Sequence, residues 1–179
     1  MNGTSPLENA TAVVTGATGF IGSHLVDYLV GHGCIVHALV RETSDRRWLN
    51  KSNKVKVHTV DLLQSSPINF LQEADYLFHC AGLTKAKTRD DYFSGNVHSC
   101  EILYERCVTI GANLKTIIHL SSLAAAGPST QGEAVQEKNP CKPVTYYGES
   151  KLAGEKIALK YSLLLPIVII RPPVVYGPR

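Results

Sequence analysis

The chain has 179 residues, of which 44% are hydrophobic and 18% are charged. This length suits one globular domain with a substantial core, and the composition excludes a disordered chain. The net charge of 18 − 15 = +3 is too small and too scattered to indicate a nucleic-acid partner.

Strand-like and helix-like stretches alternate along the chain. Strands are predicted over residues 10–15, 34–40, 55–60, 75–80, 115–122 and 167–171, and helices over 20–31, about 90–111 and about 145–161. This alternation implies right-handed crossovers and an α/β fold with a doubly wound parallel sheet, in the strand order 3-2-1-4-5-6. The continuous apolar run at 167–170 is typical of a strand buried on both faces.

Three glycines lie between the first strand and its helix, at Gly16, Gly19 and Gly22. Gly16 allows a tight turn, Gly19 lets backbone N–H groups approach a pyrophosphate, and Gly22 lets the helix pack closely on the strand. A glycine-rich turn without a ligand is the alternative. The strand before the glycines and the helix after them favour a dinucleotide-binding Rossmann domain, which we assign to residues 1–179.

A second pattern places Tyr147 and Lys151 four residues apart on a predicted helix, and therefore on one face of it. A phenol with an ordinary pKa near 10 is a poor acid or base at neutral pH, but an adjacent cation lowers that pKa. A surface tyrosine with a solvated lysine is the alternative. The preceding strand ends in Ser121 and Ser122, at the sheet edge where ligands bind in such folds. Ser122 is predicted to hydrogen-bond a substrate oxygen, and Ser121 to be structural.

These motifs resemble those of the extended short-chain dehydrogenase/reductases. The nearest group is the NAD-dependent epimerase/dehydratase family, which includes nucleotide-sugar epimerases and dihydroflavonol-reductase-like enzymes. The resemblance runs from Ala12 to Arg179. Residues 15–22 match TGxxGFIG, residues 119–127 resemble SSxxVYG, and residues 171–178 match RPxxVYGP.

The resemblance implies a role for each site residue. Tyr147 would be the general acid/base, Lys151 would lower its pKa and hold the nicotinamide ribose, and Ser122 would orient the substrate oxygen. Asn96 would belong to the proton relay. The cofactor-binding residues implied are Gly16, Thr18, Gly19, Phe20, Ile21, Gly22, Arg41, Asp61, Leu62, Ala81, Gly82, Lys151, Pro172 and Val174.

The choice between NAD and NADP depends on the end of the second strand. NAD-selective members carry an acidic residue there, which binds the ribose 2′-hydroxyl. This chain has Arg41, and a guanidinium suits a 2′-phosphate. NADP is therefore favoured as the cofactor. NAD, with Glu42 binding the ribose, remains the alternative.

The implied function is that of an NAD(P)-dependent oxidoreductase or epimerase/dehydratase. It would transfer hydride at a hydroxyl or carbonyl carbon of a small-molecule substrate such as a nucleotide sugar. A non-catalytic dinucleotide-binding module, acting as a redox sensor or scaffold, is the alternative. Family members continue beyond the position of Arg179 with a substrate-binding region and a further strand. We therefore expect the sixth strand to lie at an edge that a partner, such as a second copy in a homodimer, would cover.

The cysteines indicate the compartment of the protein, and the histidines indicate whether it binds a metal. The five cysteines are odd in number and contain no C-x-x-C pair, which favours free thiols and a cytoplasmic protein. The seven histidines show no metal-ligand spacing, so no metal is predicted. No apolar run approaches membrane-spanning length, and no membrane partner is predicted.

Overall fold

The computed structural model describes residues 5–64, 67–129 and 134–179. The strands are β1 (Thr11–Thr15), β2 (Ile35–Val40), β3 (Val55–Thr59), β4 (Tyr76–His79), β5 (Thr116–Leu120) and β6 (Ile167–Ile170). They form one parallel sheet in the order β3-β2-β1-β4-β5-β6. This confirms the doubly wound α/β sheet and its predicted order.

The helices are α1 (Phe20–Gly31), α2 (Arg89–Phe93), α3 (Ser99–Thr109) and α4 (Tyr146–Tyr161). A π-helical turn, Ser94–His98, joins α2 to α3, so the helix predicted over 90–111 is one helical stretch with a wider turn inside it. Short 3₁₀ turns occur at Asn69–Glu73 and Leu123–Ala125. Within the described ranges, no helix has the length and apolar character needed to cross a membrane.

Two apolar cores cover the two faces of the sheet. Successive residues of a strand point to opposite faces, and on β1 Val13 packs in one core while Val14 packs in the other. The first core contains Leu103 and Tyr104 of α3, and the second contains Val26 of α1. The sheet is therefore held between helices on both sides.

Strand β6 is an edge strand, as expected, but it is not buried on both faces. It pairs with β5 along one side. Ile167 and Ile169 pack against the core, whereas Val168 and Ile170 are 49% and 43% exposed. The prediction of two-sided burial was wrong because an apolar run does not show how many neighbours cover a strand.

Candidate active site

The turn between β1 and α1 requires glycine at two positions for steric reasons. Gly16 has φ +64°, and a Cβ there would lie 2.8 Å from the backbone nitrogen of Ala81. A Cβ on Gly22 would lie 2.1 Å from the carbonyl oxygen of Gly16. The turn is thus packed between the end of β4 and the first turn of α1. Gly19 occupies the N-cap of α1 and has no side chain to satisfy the helix N–H groups, which leaves them available to an anion.

A cleft of about 690 Å³ opens where β1, β2, β3 and β4 end. Its volume lies in the range of roughly 300–1,000 Å³ that is common for ligand pockets. The predicted cofactor residues that line it are Gly16, Thr18, Gly19, Arg41, Asp61, Leu62, Ala81 and Gly82. The fold therefore gathers residues from four separate strand ends into one cavity.

Of the described residues, the other predicted cofactor residues are not part of the cleft lining. Phe20, Ile21 and Gly22 form the first turn of α1. The Pro172 carbonyl accepts a hydrogen bond from the Leu123 N–H at 3.0 Å, and Val174 is 88% exposed. Cofactor contacts for these residues stay predictions.

Lys151 is a buried cation below the cleft. Its side chain leaves α4, and its Nζ donates to the carbonyl oxygen of Leu120, at the end of β5, over 2.6 Å. A Cβ on Gly82 would lie 3.7 Å from this Nζ, so the ammonium lies under the cleft-lining backbone of Gly82. Burial lowers the pKa of Lys151 below its ordinary value.

Ser122 and Tyr147 belong to two segments that pack against each other. Ser122 begins the 3₁₀ turn Leu123–Ala125, and its Oγ accepts from the Ala124 N–H at 3.2 Å. A Cβ on Gly148 would lie 2.4 Å from the Ala124 carbonyl oxygen. This close backbone contact holds the start of α4, and with it Tyr147, against the turn that Ser122 caps.

Asn96 connects the cleft wall to α4. It is buried in the π-helical turn, a type of local feature that often occurs at functional sites. Its Oδ1 accepts from the Leu83 N–H at 2.6 Å, and its Nδ2 donates to the Leu83 carbonyl and to Ser150 Oγ. Ser150 in turn donates to the Tyr147 carbonyl at 2.7 Å. Asn96 thereby ties the cleft loop to the helix that carries Tyr147 and Lys151.

The basic residues after β2 differ in their surroundings. Arg46 donates to Thr59, and Arg47 forms an exposed ion pair with Asp45. Arg41 is exposed, lines the cleft and begins a turn in which its N–H donates to Ser44 Oγ at 3.0 Å. Arg41 is therefore the arginine of this group that faces the cleft.

Sequence reasoning missed a buried ion pair beside the site. Glu155 of α4 is 3% exposed and accepts from the guanidinium of Arg171 at 2.8 and 2.6 Å. Ser121 also donates to Glu155, which agrees with the structural role predicted for this serine. Burial raises the pKa of Glu155, but the hydrogen bonds and the charge of Arg171 outweigh it and lower the pKa overall. The pattern RPxxVYGP identified Arg171, but nothing in the sequence paired it with Glu155.

The parallel sheet, the glycine turn and the cleft at the strand ends are typical of dinucleotide-binding α/β proteins. The model of the NAD dependent epimerase/dehydratase family matches residues 12–179. The chain belongs to this family, as its motifs indicated.

Three similar proteins illustrate the family. The chain is 30% identical to the uncharacterized UDP-glucose epimerase YtcB of Bacillus subtilis (93% of this chain, 57% of the relative). It is 34% identical to the ceramide reductase of Caulobacter vibrioides (92% and 46%). The crystal structure of UDP-glucuronic acid 4-epimerase from Bacillus cereus in complex with NAD superposes with a TM-score of 0.83 at 30% identity, over 94% of this chain and 58% of that one. The chain spans about half the length of the curated relatives it matches.

Replacing Gly22 with alanine should damage the phosphate-facing turn. The new Cβ would clash with the Gly16 carbonyl oxygen at 2.1 Å, so the turn and α1 must separate. We expect a loss of about 1–3 kcal/mol in the free energy of unfolding, typical of overpacking. Dinucleotide affinity should fall about tenfold, or about 1.4 kcal/mol. Urea denaturation and fluorescence titration with NADH measure the two effects.

Gly31→Ala is the matched control on the same helix. Within the described residues, a Cβ at Gly31 meets nothing within 4 Å, and alanine is the better helix former. This variant should keep its affinity and be as stable as the wild type or slightly more so. Equal losses in the two variants would contradict the steric argument.

Proposed function

We propose that the chain binds NAD(P) in the cleft and supports tyrosine-assisted hydride transfer on a small-molecule substrate. The reacting group would be a hydroxyl or carbonyl, as in a nucleotide sugar. The observation that carries this proposal is the position of Lys151, a buried ammonium under Gly82 in a cleft that begins at the N-terminus of α1. Burying an ammonium costs free energy, and a cleft that bound no ligand would gain nothing from a buried cation at this end.

Different residues of the cleft would bind different parts of the cofactor. The free N–H groups around Gly19 suit the pyrophosphate, and the Asp61 carboxylate at the end of β3 suits the adenine amino group. Lys151 lies at the other side of the lining, where its ammonium suits the nicotinamide ribose hydroxyls. The bound nicotinamide supplies the hydride chemistry.

Three side chains would hold the substrate oxygen and exchange a proton with it. The Ser122 hydroxyl holds this oxygen by a hydrogen bond, and the Tyr147 phenol exchanges a proton with it. The positive charge of Lys151, four residues along α4, would stabilise the negative charge that develops on the phenol oxygen during proton transfer. The packing of Gly148 on Ala124 supports this grouping because it fixes the start of α4 beside Ser122.

A panel of substrates with each cofactor tests the proposal. The names of the relatives suggest UDP-glucose, UDP-glucuronic acid and a ceramide-type ketone as first members. Interconversion of UDP-sugars without net cofactor change would establish an epimerase, and stoichiometric change in nicotinamide absorbance would establish an oxidoreductase. Cofactor binding without turnover of any member would favour the dinucleotide-binding module, and no cofactor binding would overturn the proposal.

We further propose that Arg41 gives the cleft a preference for NADP. Arg41 begins a turn whose Thr43 and Ser44 also line the cleft, and a guanidinium together with these hydroxyls suits a 2′-phosphate. Arg41→Asp should weaken NADPH binding about tenfold or more, or at least about 1.4 kcal/mol, and leave NADH binding nearly unchanged. Fluorescence titration with both dinucleotides measures the ratio.

Arg47→Asp serves as the control for charge alone, because Arg47 is exposed and already paired with Asp45. It should affect the two cofactors almost equally. Equal losses of NADPH and NADH affinity in Arg41→Asp would overturn the preference for NADP and favour the alternative, NAD with Glu42 at its ribose.

A further inference from the structure

Two histidines and a cysteine meet inside the first core. His79 of β4 and His119 of β5 are register partners on adjacent parallel strands, and Cys100 of α3 packs against them. Each of the three is at most 2% exposed. One nitrogen of each ring and the Cys100 sulfur all lie within 4.8 Å of one another. None of the three side chains has a part in the function proposed above.

The far nitrogen of each ring is held by a hydroxyl. His79 Nδ1 is 2.8 Å from Thr15 Oγ1, and His119 Nδ1 is 2.7 Å from the hydroxyl of Tyr104. Hydrogen bonds to the outer ring nitrogen orient the histidine ligands of metal sites. Each hydroxyl can accept from an Nδ1–H, and in that tautomer the Nε2 of the ring carries the lone pair that a metal ligand needs.

One buried nitrogen of the cluster has no hydrogen-bond partner among the described residues. His119 Nε2 is the buried side-chain nitrogen or oxygen that makes no hydrogen bond within the described residues. His79 Nε2 lies 3.2 Å from Cys100 Sγ, whose thiol donates to the Asn96 carbonyl. Buried polar atoms are rarely left unpaired, because the loss of water is then uncompensated. His119 Nε2 is therefore a buried nitrogen that a bound ligand would satisfy.

We propose that His79, Cys100 and His119 bind a thiophilic metal ion, Zn²⁺ or Cu⁺. Imidazole nitrogen and thiolate sulfur are the donors that these ions select. Metal–ligand bonds of about 2.0–2.3 Å place tetrahedral donor atoms about 3.3–3.6 Å apart. The 3.2 Å between His79 and Cys100 lies just below this spacing, and the remaining pairs, which are within 4.8 Å, need to close by no more than about 1.5 Å. Binding releases the thiol proton of Cys100 to solvent as the metal–sulfur bond forms.

The ion would join β4, β5 and α3 by direct metal–ligand bonds, in addition to their existing packing and hydrogen bonds. Gly154 of α4 closes the cluster, since a Cβ there would lie 3.7 Å from both Cys100 Sγ and His119 Cε1. The same helix carries Lys151, whose Nζ donates a hydrogen bond to the carbonyl oxygen of Leu120, the residue after His119. Metal binding would therefore fix β4, β5 and α3 beneath the proposed active site and stabilise the fold by mass action.

Titration of the whole chain with Co²⁺, a coloured substitute for Zn²⁺, tests the site. The wild type should bind one ion and show a sulfur-to-cobalt charge-transfer absorption, which surface histidines alone cannot produce. Cys100→Ser should lose this absorption, whereas Cys107→Ser should keep it. Cys107 is an equally buried thiol two turns along the same helix and is the matched control. Parallel titrations with Zn²⁺ and with Cu⁺ under reducing conditions, read as a rise in Tm, identify the preferred ion.

The absence of a thiolate absorption in the wild type would overturn the proposal and leave a buried water as the partner of His119. Equal binding by Cys100→Ser and the wild type would overturn it as well. His119→Phe preserves a ring of similar shape and gives an independent test if Cys100→Ser does not fold. It should weaken metal binding at least tenfold, and unchanged binding would exclude His119 as a ligand.

Discussion

Tyr147→Phe should lower kcat by about 10²- to 10⁴-fold, the range expected when a general acid/base is removed. The substitution deletes one hydroxyl and keeps the ring, which packs 6.1 Å from the ring of Tyr92. Neither the fold nor cofactor affinity should change by more than a small factor. Steady-state turnover of the substrate found in the panel, together with a dinucleotide titration, measures the two effects.

Tyr146→Phe is the matched control for this experiment. Tyr146 is the preceding residue of α4 and is 57% exposed, so the loss of its hydroxyl should leave kcat unchanged. Wild-type turnover in Tyr147→Phe would remove tyrosine from the mechanism. A parallel loss of turnover and cofactor affinity would instead assign Tyr147 to binding.

Local patterns predicted the sheet well because its determinants are local. The alternation of apolar runs with helical stretches, together with the glycines at 16 and 22, gave all six strands and their order. Strand ends shifted by one or two residues, since fraying ends carry few apolar contacts. The exposure of Val168 was not predictable in this way, because it depends on what lies beside β6 rather than on the residues within it.

The site was predictable in its motifs but not in its contacts. The spacing of Tyr147 and Lys151 marked the helix, but nothing in it showed that the lysine would be buried against the Leu120 carbonyl. The π-helical turn around Asn96 was equally hidden, because the local sequence does not distinguish it from an ordinary helical turn. Such features arise from tertiary packing and override local preference.

The buried histidine–cysteine cluster shows the limit of spacing rules most clearly. Metal-ligand motifs are recognised when donors lie a few residues apart on one element. Here His79, Cys100 and His119 come from three elements, about twenty residues apart in the chain, and only the parallel pairing of β4 with β5 brings the rings together. The sequence therefore predicted no metal site.

Glu155→Gln should destabilise the protein by about 3 kcal/mol at neutral pH. Removing one partner of a buried ion pair costs about 3–5 kcal/mol, because the remaining charge stays desolvated. The lower end applies here since the Arg171 side chain is 24% exposed and keeps some contact with water. The pair also ties α4 to Ser121, the neighbour of Ser122. Urea denaturation at pH 7 measures the loss.

The same pair predicts a pH dependence with a definite sign. The folded pKa of Glu155 lies below its ordinary value of 4.5, so the unfolded chain takes up the proton first as the pH falls. The stabilisation is fully present above pH 4.5 and is lost as the pH drops through the lower, folded pKa. The difference in unfolding free energy between wild type and Glu155→Gln should therefore shrink below pH 4.5.

Glu101→Gln supplies the control, because Glu101 pairs with Lys160 at 3.9 Å with both side chains largely exposed. Exposed pairs contribute about 0–1 kcal/mol, so this variant should unfold nearly like the wild type at every pH. Two results would contradict this prediction: a small effect of Glu155→Gln at pH 7, or a difference in unfolding free energy that grows as the pH falls. Either would show that water, rather than the Glu155 carboxylate, stabilises the charge of Arg171. The position of α4 beneath the cleft would then depend on the backbone contacts of Gly148 and Gly154 instead.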